Sequence, residues 1–353
     1  MKVPLKRKIR TFLAGIAGTV TGLPEAVRMA SASSYFPESP RKTYPVRLLE
    51  NIAWDFKNHG ANTFYGLYGL DVVGSDASNF VPEFDFWHEQ FLLNKRGSAV
   101  QSQVILLRDK LLFDRYMRAN GLPAPEVFAV VRDGRLLNRE LEEIPASELK
   151  QEKNYFVKDI NGQCASFVKR VRDFEQLTQM LPTLNGSYII QRAVQQHREM
   201  NRLNPGAINT LRIVTVLENG HVRLFTSLLR IGNEKTGNVD NWAAGGIAIG
   251  IQDDGYLKPY GFYKPHYGRK TDRHPDTSVV FSEFRVPFYE QAVEMACKAH
   301  KFFWGIHSIG WDIAITEDGP VFIEGNDNWE ISLQQACDRP LKAEWEKSVR
   351  GGA

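Results

Sequence analysis

Hydrophobic positions recur with a helical period in one part of the chain and with a strand-like period in the next. From Gln101 to Asn120, apolar residues are spaced by three and four positions, which predicts a helix, and the proline-rich segment 121–125 ends it. A second helical stretch is expected at Asp173–Met180. Short runs of the strand type lie at Val127–Val131, Tyr155–Lys158 and Tyr188–Gln191.

The second half of the chain carries two hairpin signals, Asn219-Gly220 and Asp318-Gly319, each between two strand-like runs. Between these hairpins, Pro287–Trp304 has the pattern of a helix that begins with a proline. Residues 1–100 carry weaker patterns and are interpreted as mainly helical with loops. Strands mixed with helices and hairpins indicate an α+β, or mixed α/β, architecture.

Composition and charge narrow the class of protein. Of 353 residues, 43% are hydrophobic and 24% are charged, as in ordinary globular proteins, and the length exceeds one compact core. The net charge of +3 lacks the strong basic excess of a nucleic-acid binder, so no nucleic-acid partner is expected. The cysteines, Cys164, Cys297 and Cys337, have no pairing pattern and indicate reduced thiols.

The N-terminal segment leaves three alternatives open. Basic residues among the first ten precede an apolar stretch from Thr11 to Leu23, which is too short to span a bilayer. It is interpreted first as a soluble basic helix, second as membrane-surface contact through residues 1–28, and third as a secretory signal. Pro24 and Glu25 interrupt a signal pattern. A cytoplasmic protein is therefore expected, with association at the inner face of the membrane as the alternative.

The last hairpin, which begins with Ile309–Thr316, carries acidic residues. If Glu317–Gly319 form a three-residue loop, Asp312 lies directly opposite Glu324, and alternation puts Asn326 on the same face. The other face then receives apolar residues: Trp311, Ile313, Ile315, Val321 and Ile323.

Directly opposed carboxylates destabilise a sheet unless a cation or a proton compensates their charge. Asp312, Glu324 and Asn326 offer oxygen ligands, which suit Mg²⁺ or Mn²⁺ shared with nucleotide phosphates. The alternative is a solvated face that carries two unrelated acids. Spacing alone therefore makes a metal site one of two interpretations.

The pattern of Asp312, eleven residues, Glu324, one residue and Asn326 resembles the metal hairpin of ATP-grasp enzymes. The sugar-transfer-associated ATP-grasp subgroup is resembled by further stretches: Asn204-Pro205, Asn209-Thr210-Leu211-Arg212, Gly245-Gly246 and Gly310-Trp311-Asp312-Ile313-Ala314. The resemblance implies an ATP-grasp fold, with a largely helical N-terminal region and two α+β subdomains that grip ATP. The implied segments are 1–100 for the helical region, 101–200 for the subdomain with phosphate lid and hinge, and 201–353 for the subdomain with the metal hairpin.

The resemblance also implies contacts to the nucleotide phosphates. Lys110 and Lys158 are similar to the two lysines that touch ATP, with solvated surface lysines as the alternative. Gly162 and Ser166 lie where the family has a glycine-rich phosphate lid, but this stretch has a single glycine, and a plain turn is the alternative. Asn241 lies in a stretch similar to the loop beside the γ-phosphate, or else in a tightly packed sheet connection.

For the adenosine, the segment from Tyr188 resembles the hinge whose backbone reads the adenine edge. This implies contacts from Gln191, Arg192 and Val194. The family's usual acidic residue for the ribose is missing here. His197 is the expected substitute, and a structural histidine is an equal alternative.

Two arginines complete the implied site. Arg212 is similar to the arginine that neutralises the transferring phosphate and the acyl-phosphate, with an exposed cross-strand salt bridge as the alternative. Arg230 is expected to assist. A two-residue turn at Asn219-Gly220 would put Arg230 on the face opposite Arg212, whereas a three-residue loop would put them together.

The resemblance implies an ATP-dependent, ADP-forming carboxylate–amine ligase that works through an acyl-phosphate, with ATP and Mg²⁺ or Mn²⁺ as cofactors. Its partners would be a small-molecule or saccharide carboxylate and an amine or amino acid, and the subgroup name implies polysaccharide biosynthesis. The alternatives are a kinase that phosphorylates a sugar or another hydroxyl compound, and a non-catalytic nucleotide-binding module. The sequence does not indicate an oligomeric state.

Overall fold

The computed structural model describes residues 22–58, 60–95, 98–150, 153–161, 167–237 and 240–351. Its helices are α1 (22–31), α2 (Tyr44–Asn58), α3 (Glu83–Lys95), α4 (Ser98–Arg108), α5 (Lys110–Ala119), α6 (Phe174–Met180), α7 (Arg198–Leu203), α8 (Tyr289–His300), α9 (Ile331–Cys337) and α10 (Lys342–Gly351). Its strands are β1 (Val127–Arg132), β2 (Arg135–Leu137), β3 (Tyr155–Asp159), β4 (Val168–Val171), β5 (Ser187–Arg192), β6 (Thr210–Glu218), β7 (His221–Ile231), β8 (Ile247–Ile251), β9 (Leu257–Tyr263), β10 (Lys270–Thr271), β11 (Ser308–Thr316) and β12 (Gly319–Asn326). The helices and antiparallel sheets confirm the predicted α+β class.

The chain divides into two compact units, each assembled from separate stretches of sequence. The first unit comprises Met1–Leu93, Thr226–Arg285 and Glu330–Ala353, and the second comprises Asn94–Phe225 and Val286–Trp329. The three consecutive segments predicted from the sequence stay a prediction. No helix among the residues described is both long and apolar enough to cross a membrane.

The second unit contains a five-stranded antiparallel sheet in the order β2-β1-β5-β3-β4. Alternation along β5 sends Ile190 into one hydrophobic cluster and Ile189 into another, so both faces of the sheet are covered. Leu177 of α6 packs in the cluster of Ile190. The Asp173 carboxylate accepts a hydrogen bond from the Gln176 N–H at 3.0 Å and thereby begins α6.

The helix predicted at Gln101–Asn120 is divided in two by Asp109. The Asp109 carboxylate accepts hydrogen bonds from the N–H groups of Leu111 and Leu112 at 3.0 and 2.9 Å, and its extended backbone ends α4. An aspartate in this role stabilises the start of a new helix. Lys110 consequently opens α5, and its N–H donates to the Ile160 carbonyl at 3.0 Å.

Strands β6, β11 and β12 form a second antiparallel group in the same unit, with β11 in the centre. A buried chain of hydrogen bonds anchors it. Trp311 Nε1 donates to Thr215 Oγ1 at 2.9 Å, Thr215 Oγ1 contacts His300 Nδ1 at 2.7 Å, and His300 Nε2 lies 2.8 Å from the Ile306 carbonyl oxygen. Because a carbonyl only accepts, His300 is the Nε2–H tautomer and Thr215 donates to Nδ1. Burial lowers the pKa of His300 to about 4.

The first unit contains strands in the order β10-β9-β8-β7 together with α1, α2, α3, α9 and α10. Leu333 and Cys337 on α9 pack in one cluster with Ala248 of β8 and Phe262 of β9. The buried Trp242 indole donates to the Phe262 carbonyl at 2.9 Å. Helices α1, α2 and α3 are consistent with the predicted, largely helical N-terminal region.

Candidate functional site

The acidic hairpin pairs the two carboxylates that the sequence singles out. Asp312 on β11 is the Cα partner of Glu324 on β12, and Gly310 is the partner of Asn326. Paired residues of antiparallel strands project to the same face, so Asp312, Glu324 and Asn326 share one face. The Asn326 amide nitrogen lies 3.3 Å from Glu324 Oε1, which brings these two side chains into contact.

The hairpin reaches this pairing through a turn that differs from the predicted one. Thr316 pairs with Gly319, so the loop has two residues instead of three. The register then shifts between Asp312 and Ile313, which leaves Ile323 as one extra residue on β12. The predicted loop is one residue too long. The β-bulge adds one residue to β12 and so offsets the shorter loop, which leaves Asp312 paired with Glu324 as predicted.

The two-residue turn also changes which apolar residues face the core. Phe322 is fully buried, pairs with Ile313, and has its ring centroid 5.0 Å from that of Trp311. Val321 and Ile323, which were predicted for this face, are only partly buried. The prediction for these two residues is wrong because the loop is one residue shorter than predicted, which exchanges the faces of the residues that follow it on β12.

Arg212 lies beside Asp312 on the other neighbouring strand. The two residues are Cα partners between β6 and β11, and their side chains form a two-pronged ion pair. Arg212 Nε donates to Asp312 Oδ1 at 2.5 Å, and Nη2 donates to Oδ2 at 3.1 Å. Both residues are buried, with 7% and 1% of their surfaces exposed. Arg212, Asp312 and Glu324 thus form a row of charged side chains across three adjacent strands.

Two lysines lie within electrostatic reach of Glu324. Burial lowers the pKa of Lys158 to about 8, the Glu324 carboxylate opposes this shift, and the positive charge of Lys110 adds to it. Burial also lowers the pKa of Lys110, again against the influence of Glu324. The mutual influence places the two cations and this carboxylate in one electrostatic neighbourhood.

Most of this chain matches the model of a known protein family. A family model described as sugar-transfer associated ATP-grasp matches residues 95–349. The chain belongs to this ATP-grasp family. No protein of curated function matches the sequence.

Solved structures of ATP-grasp enzymes resemble the chain at low identity. D-alanine–D-alanine ligase from Helicobacter pylori is 14% identical with a TM-score of 0.43, over 70% of this chain and 61% of that one. D-alanine–D-alanine ligase from Bacillus anthracis complexed with ATP is 13% identical with a TM-score of 0.42, over 70% of this chain and 64% of that one. N5-carboxyaminoimidazole ribonucleotide synthetase from Thermotoga maritima is 11% identical, TM-score 0.38, over 64% and 43%. The chain spans less than two thirds of the length of each of these proteins. These similarities assign neither a substrate nor a functional residue to this chain.

The hairpin's donor set fits the divalent cation that an ATP-grasp protein implies. Within the described part of the chain, no group of three or more His, Cys, Asp or Glu side chains could hold a metal. The hairpin supplies two carboxylates and the amide of Asn326. This suits Mg²⁺, which commonly takes one or two protein carboxylates and completes its shell with water and nucleotide phosphates. Asp312, Glu324 and Asn326 therefore stay the predicted metal ligands.

The side chain of Gln191 makes contacts that the resemblance to ATP-grasp enzymes did not predict. Its buried side chain accepts a hydrogen bond from Lys158 Nζ at 2.7 Å and donates to the Pro125 carbonyl at 3.2 Å. The amide thereby fixes the end of Lys158 at its position on β3. No spacing in the sequence indicates this contact, because it joins neighbouring strands through a pairing of Phe156 with Gln191.

The remaining hinge residues lie at the end of β5. The Arg192 N–H donates to the Glu126 carbonyl at 2.8 Å, and the Ala193 N–H donates to the Asn154 carbonyl at 3.1 Å. The exposed Arg192 side chain contacts the Glu126 carboxylate at 3.3 Å. Val194 follows the strand. Adenine contacts by Gln191, Arg192 and Val194 stay a prediction.

His197 is engaged at both ring nitrogens. Nδ1 accepts from the Glu199 N–H at 3.1 Å, which caps α7, and Nε2 lies 3.5 Å from the Glu317 carboxylate. These contacts favour the structural alternative over a ribose contact. The lid residues Gly162 and Ser166 lie outside the described residues, and their role also stays a prediction.

Two predicted residues lie in the first unit. Arg230 Nη2 contacts Asp240 Oδ1 at 3.1 Å. Asn241 begins a short 3₁₀ turn by accepting from the Ala243 N–H at 3.0 Å. At Gly246, a Cβ atom would lie 2.7 Å from the Asp240 carbonyl oxygen, so tight packing accounts for glycine there. The turn between β6 and β7 has two residues, Asn219 and Gly220.

A second two-pronged ion pair, which the sequence did not predict, orients the end of β12. Arg108, the last residue of α4, donates from Nε and Nη2 to the two carboxylate oxygens of Asp327 at 2.9 and 2.7 Å. Asp327 directly follows Asn326. The only signal in the sequence is an aspartate beside the metal pattern, which does not specify its partner 219 residues away.

Proposed function

We propose that this chain is an ATP-dependent, ADP-forming carboxylate–amine ligase that makes an amide through an acyl-phosphate. The observation that carries the proposal is the row of Arg212, Asp312 and Glu324, with Lys110 and Lys158 in electrostatic reach of Glu324. Carboxylates beside several cationic side chains suit a site for a polyphosphate and its cation. Membership of the ATP-grasp family supports the nucleotide as ATP.

In this proposal, Asp312, Glu324 and Asn326 hold Mg²⁺ or Mn²⁺. The cation, when bound, would offset the negative charge of the phosphates. Lys110 and Lys158 bind phosphate oxygens. Gln191 keeps Lys158 in place, because its side-chain oxygen accepts from Nζ at 2.7 Å. At neutral pH a lysine with a pKa of about 8 is mostly protonated, so it carries the charge that phosphate binding needs.

Arg212 stabilises negative charge on the transferring phosphoryl group and on the acyl-phosphate. A guanidinium stays protonated and presents a planar fork of N–H donors, which matches the oxygens of a phosphoryl group. The substrate carboxylate attacks the γ-phosphorus and ADP leaves. An amine then attacks the acyl carbon, and inorganic phosphate leaves with one oxygen of the original carboxylate. Arg230 and Asn241 are proposed to assist at the phosphates.

The family description supports a substrate from sugar metabolism. We propose a saccharide acid or another small carboxylate as the acyl donor and an amine or amino acid as the acceptor, in polysaccharide biosynthesis. The use of ATP supports a cytoplasmic location. Contact of residues 1–28 with the inner face of the membrane is part of the same proposal, supported by their basic composition.

Isotope transfer tests this reaction directly. The protein is incubated with ATP, Mg²⁺, candidate amines and sugar acids labelled with ¹⁸O in the carboxylate, and phosphate is analysed by mass spectrometry. A ligase transfers one labelled oxygen to phosphate and releases ADP only when a suitable acid is present. Release of AMP contradicts the proposal. A stable phosphorylated alcohol formed without any amine identifies the kinase alternative instead.

A further inference from the structure

The ion pair between Arg212 and Asp312 engages a carboxylate that the proposed function assigns to the cation. Both oxygens of Asp312 accept from the guanidinium, at 2.5 and 3.1 Å, and both side chains are buried. A divalent cation that approached Asp312 alone would have to share these oxygens with Arg212 or displace it. The bound guanidinium therefore competes directly with the cation.

Displacement is unfavourable unless Arg212 finds a new partner. An arginine cannot give up its proton in a protein, so a displaced guanidinium would remain as a buried, unpaired charge. A phosphate group is a suitable partner, because its oxygens match the planar fork of an arginine as a carboxylate does. The nucleotide would thus provide what the cation alone cannot.

The surroundings of the pair define where the arginine lies and what compensates the second acid. A Cβ atom at position 310 would lie 2.6 Å from Trp329 Cβ and 3.4 Å from Arg212 Cδ, so the arginine stem lies beside Gly310 together with the Trp329 side chain. The second carboxylate, Glu324, is within reach of the charges of Lys110 and Lys158. Both acids of the hairpin are therefore compensated by basic side chains before any cation arrives.

We propose that Arg212, in addition to its proposed role at the transferring phosphoryl group, makes cation binding depend on the nucleotide. Without nucleotide, Arg212 holds Asp312 and keeps the affinity for a divalent cation low. When phosphate binds, the guanidinium turns to the phosphate and releases the carboxylate to the cation, so the two ligands enter together. This inference rests on the proposed function of the site.

Binding of Mn²⁺ to the whole protein, followed by the electron paramagnetic resonance signal of free Mn²⁺, tests the proposal. The measurement is made with and without ADP on wild type and Arg212→Met. We expect Arg212→Met to bind Mn²⁺ alone roughly tenfold more tightly, because a competing positive charge beside the cation is removed. We also expect ADP to strengthen Mn²⁺ binding by a smaller factor in this variant than in wild type.

Arg223→Met is the matched control. Arg223 Nε contacts Glu218 at 2.6 Å on the adjoining hairpin, so the variant removes an arginine–carboxylate pair, more exposed than that of Arg212, that does not involve the proposed ligands. It should bind Mn²⁺ like wild type. Arg212→Lys serves if Arg212→Met does not fold. An ammonium cannot form the two-pronged contact, so about a few-fold gain in affinity for Mn²⁺ alone is expected.

The outcomes separate this inference from the function on which it rests. If wild type binds Mn²⁺ with ADP but neither Arg212 variant binds Mn²⁺ alone more tightly than wild type, coupling through Arg212 is overturned and the nucleotide site stands. If wild type binds no Mn²⁺ even with ADP, the proposed function fails, and the inference fails with it. A gain in both Arg212 variants, absent from Arg223→Met, supports the inference.

Discussion

Ionisable side chains of the candidate site are held by specific neutral or charged neighbours. Lys158 is the clearest case, because Gln191 accepts its hydrogen bond while burial lowers its pKa to about 8. In the unfolded chain this lysine returns to a pKa near 10.5. Between pH 8 and 10.5 the unfolded chain binds more protons, so the contribution of Lys158 to stability rises with pH in that interval.

Nucleotide affinity should depend on the charge of Lys158. As pH rises through about 8, the ammonium loses its proton, and we expect the affinity for Mg²⁺-ADP to fall. Gln191→Glu replaces the neutral acceptor by a carboxylate, which raises the pKa of Lys158 and moves this fall to higher pH. Calorimetric titration from pH 7 to about 9.5 measures both profiles.

Gln176→Glu is the control, since Gln176 is an exposed glutamine that contacts the Arg172 N–H. It should retain the wild-type pH profile. Identical profiles for wild type and Gln191→Glu would show that Lys158 does not govern nucleotide binding.

At the scale of elements, the sequence predicts which helices and strands exist better than it predicts the turns and the strand register that connect them. The strands at Val127, Tyr155 and Tyr188 are found within two residues of their predicted ends, because apolar runs between turn residues identify them. The turn of the acidic hairpin has one residue fewer than predicted, and the β-bulge at Ile323 that offsets this difference leaves no mark in the hydrophobic pattern. A cross-strand salt bridge is the sequence-based alternative for Arg212, but its partner Asp312 and its burial could not be predicted, since they depend on the register between β6 and β11.

The buried series of hydrogen bonds through His300, next to β11, predicts that the stability of the protein depends on pH. Because the pKa of His300 is lowered from 6.5 to about 4, the unfolded chain binds the extra proton first as pH falls. This group's contribution to stability is present above pH 6.5 and is lost as pH falls toward 4. From the two pKa values, about 2 kcal/mol should be lost by pH 5.

Urea unfolding of wild type and His300→Gln at pH 7 and about pH 5 measures this loss. The variant should be less stable at pH 7, since it disrupts the contacts to Thr215 and Ile306, but it should lose less stability on acidification. Equal acid sensitivity in both proteins would contradict the assignment to His300.

Close packing around β12 gives a second prediction for this hairpin. A Cβ atom at Gly325 would lie 2.8 Å from Leu107 Cδ2 and 2.9 Å from the Trp311 ring. Gly325→Ala should therefore cost about 1–3 kcal/mol of stability by overpacking. Thermal unfolding measures it. Gly60→Ala is the control, because nothing lies within 4 Å of its Cβ position, and a comparable loss there would contradict the steric explanation.

At the scale of the whole molecule, the predicted nucleotide and metal residues divide between two discontinuous units. Lys110, Lys158, Arg212 and the acidic hairpin belong to the second unit, whereas Arg230 and Asn241 belong to the first. The sequence predicts the family and the α+β class correctly, because a few spaced residues suffice for both. It cannot predict units built from separated stretches, since these depend on long-range packing.

The most direct test of the account is the Mg²⁺ dependence of ADP affinity in wild type and Glu324→Gln. If Asp312, Glu324 and Asn326 hold the cation, Mg²⁺ should tighten ADP binding to wild type by about tenfold or more, and Glu324→Gln should lose most of that gain. Glu317→Gln, at the exposed turn of the same hairpin, should keep the gain in full. An undiminished effect of Mg²⁺ in Glu324→Gln would contradict the account.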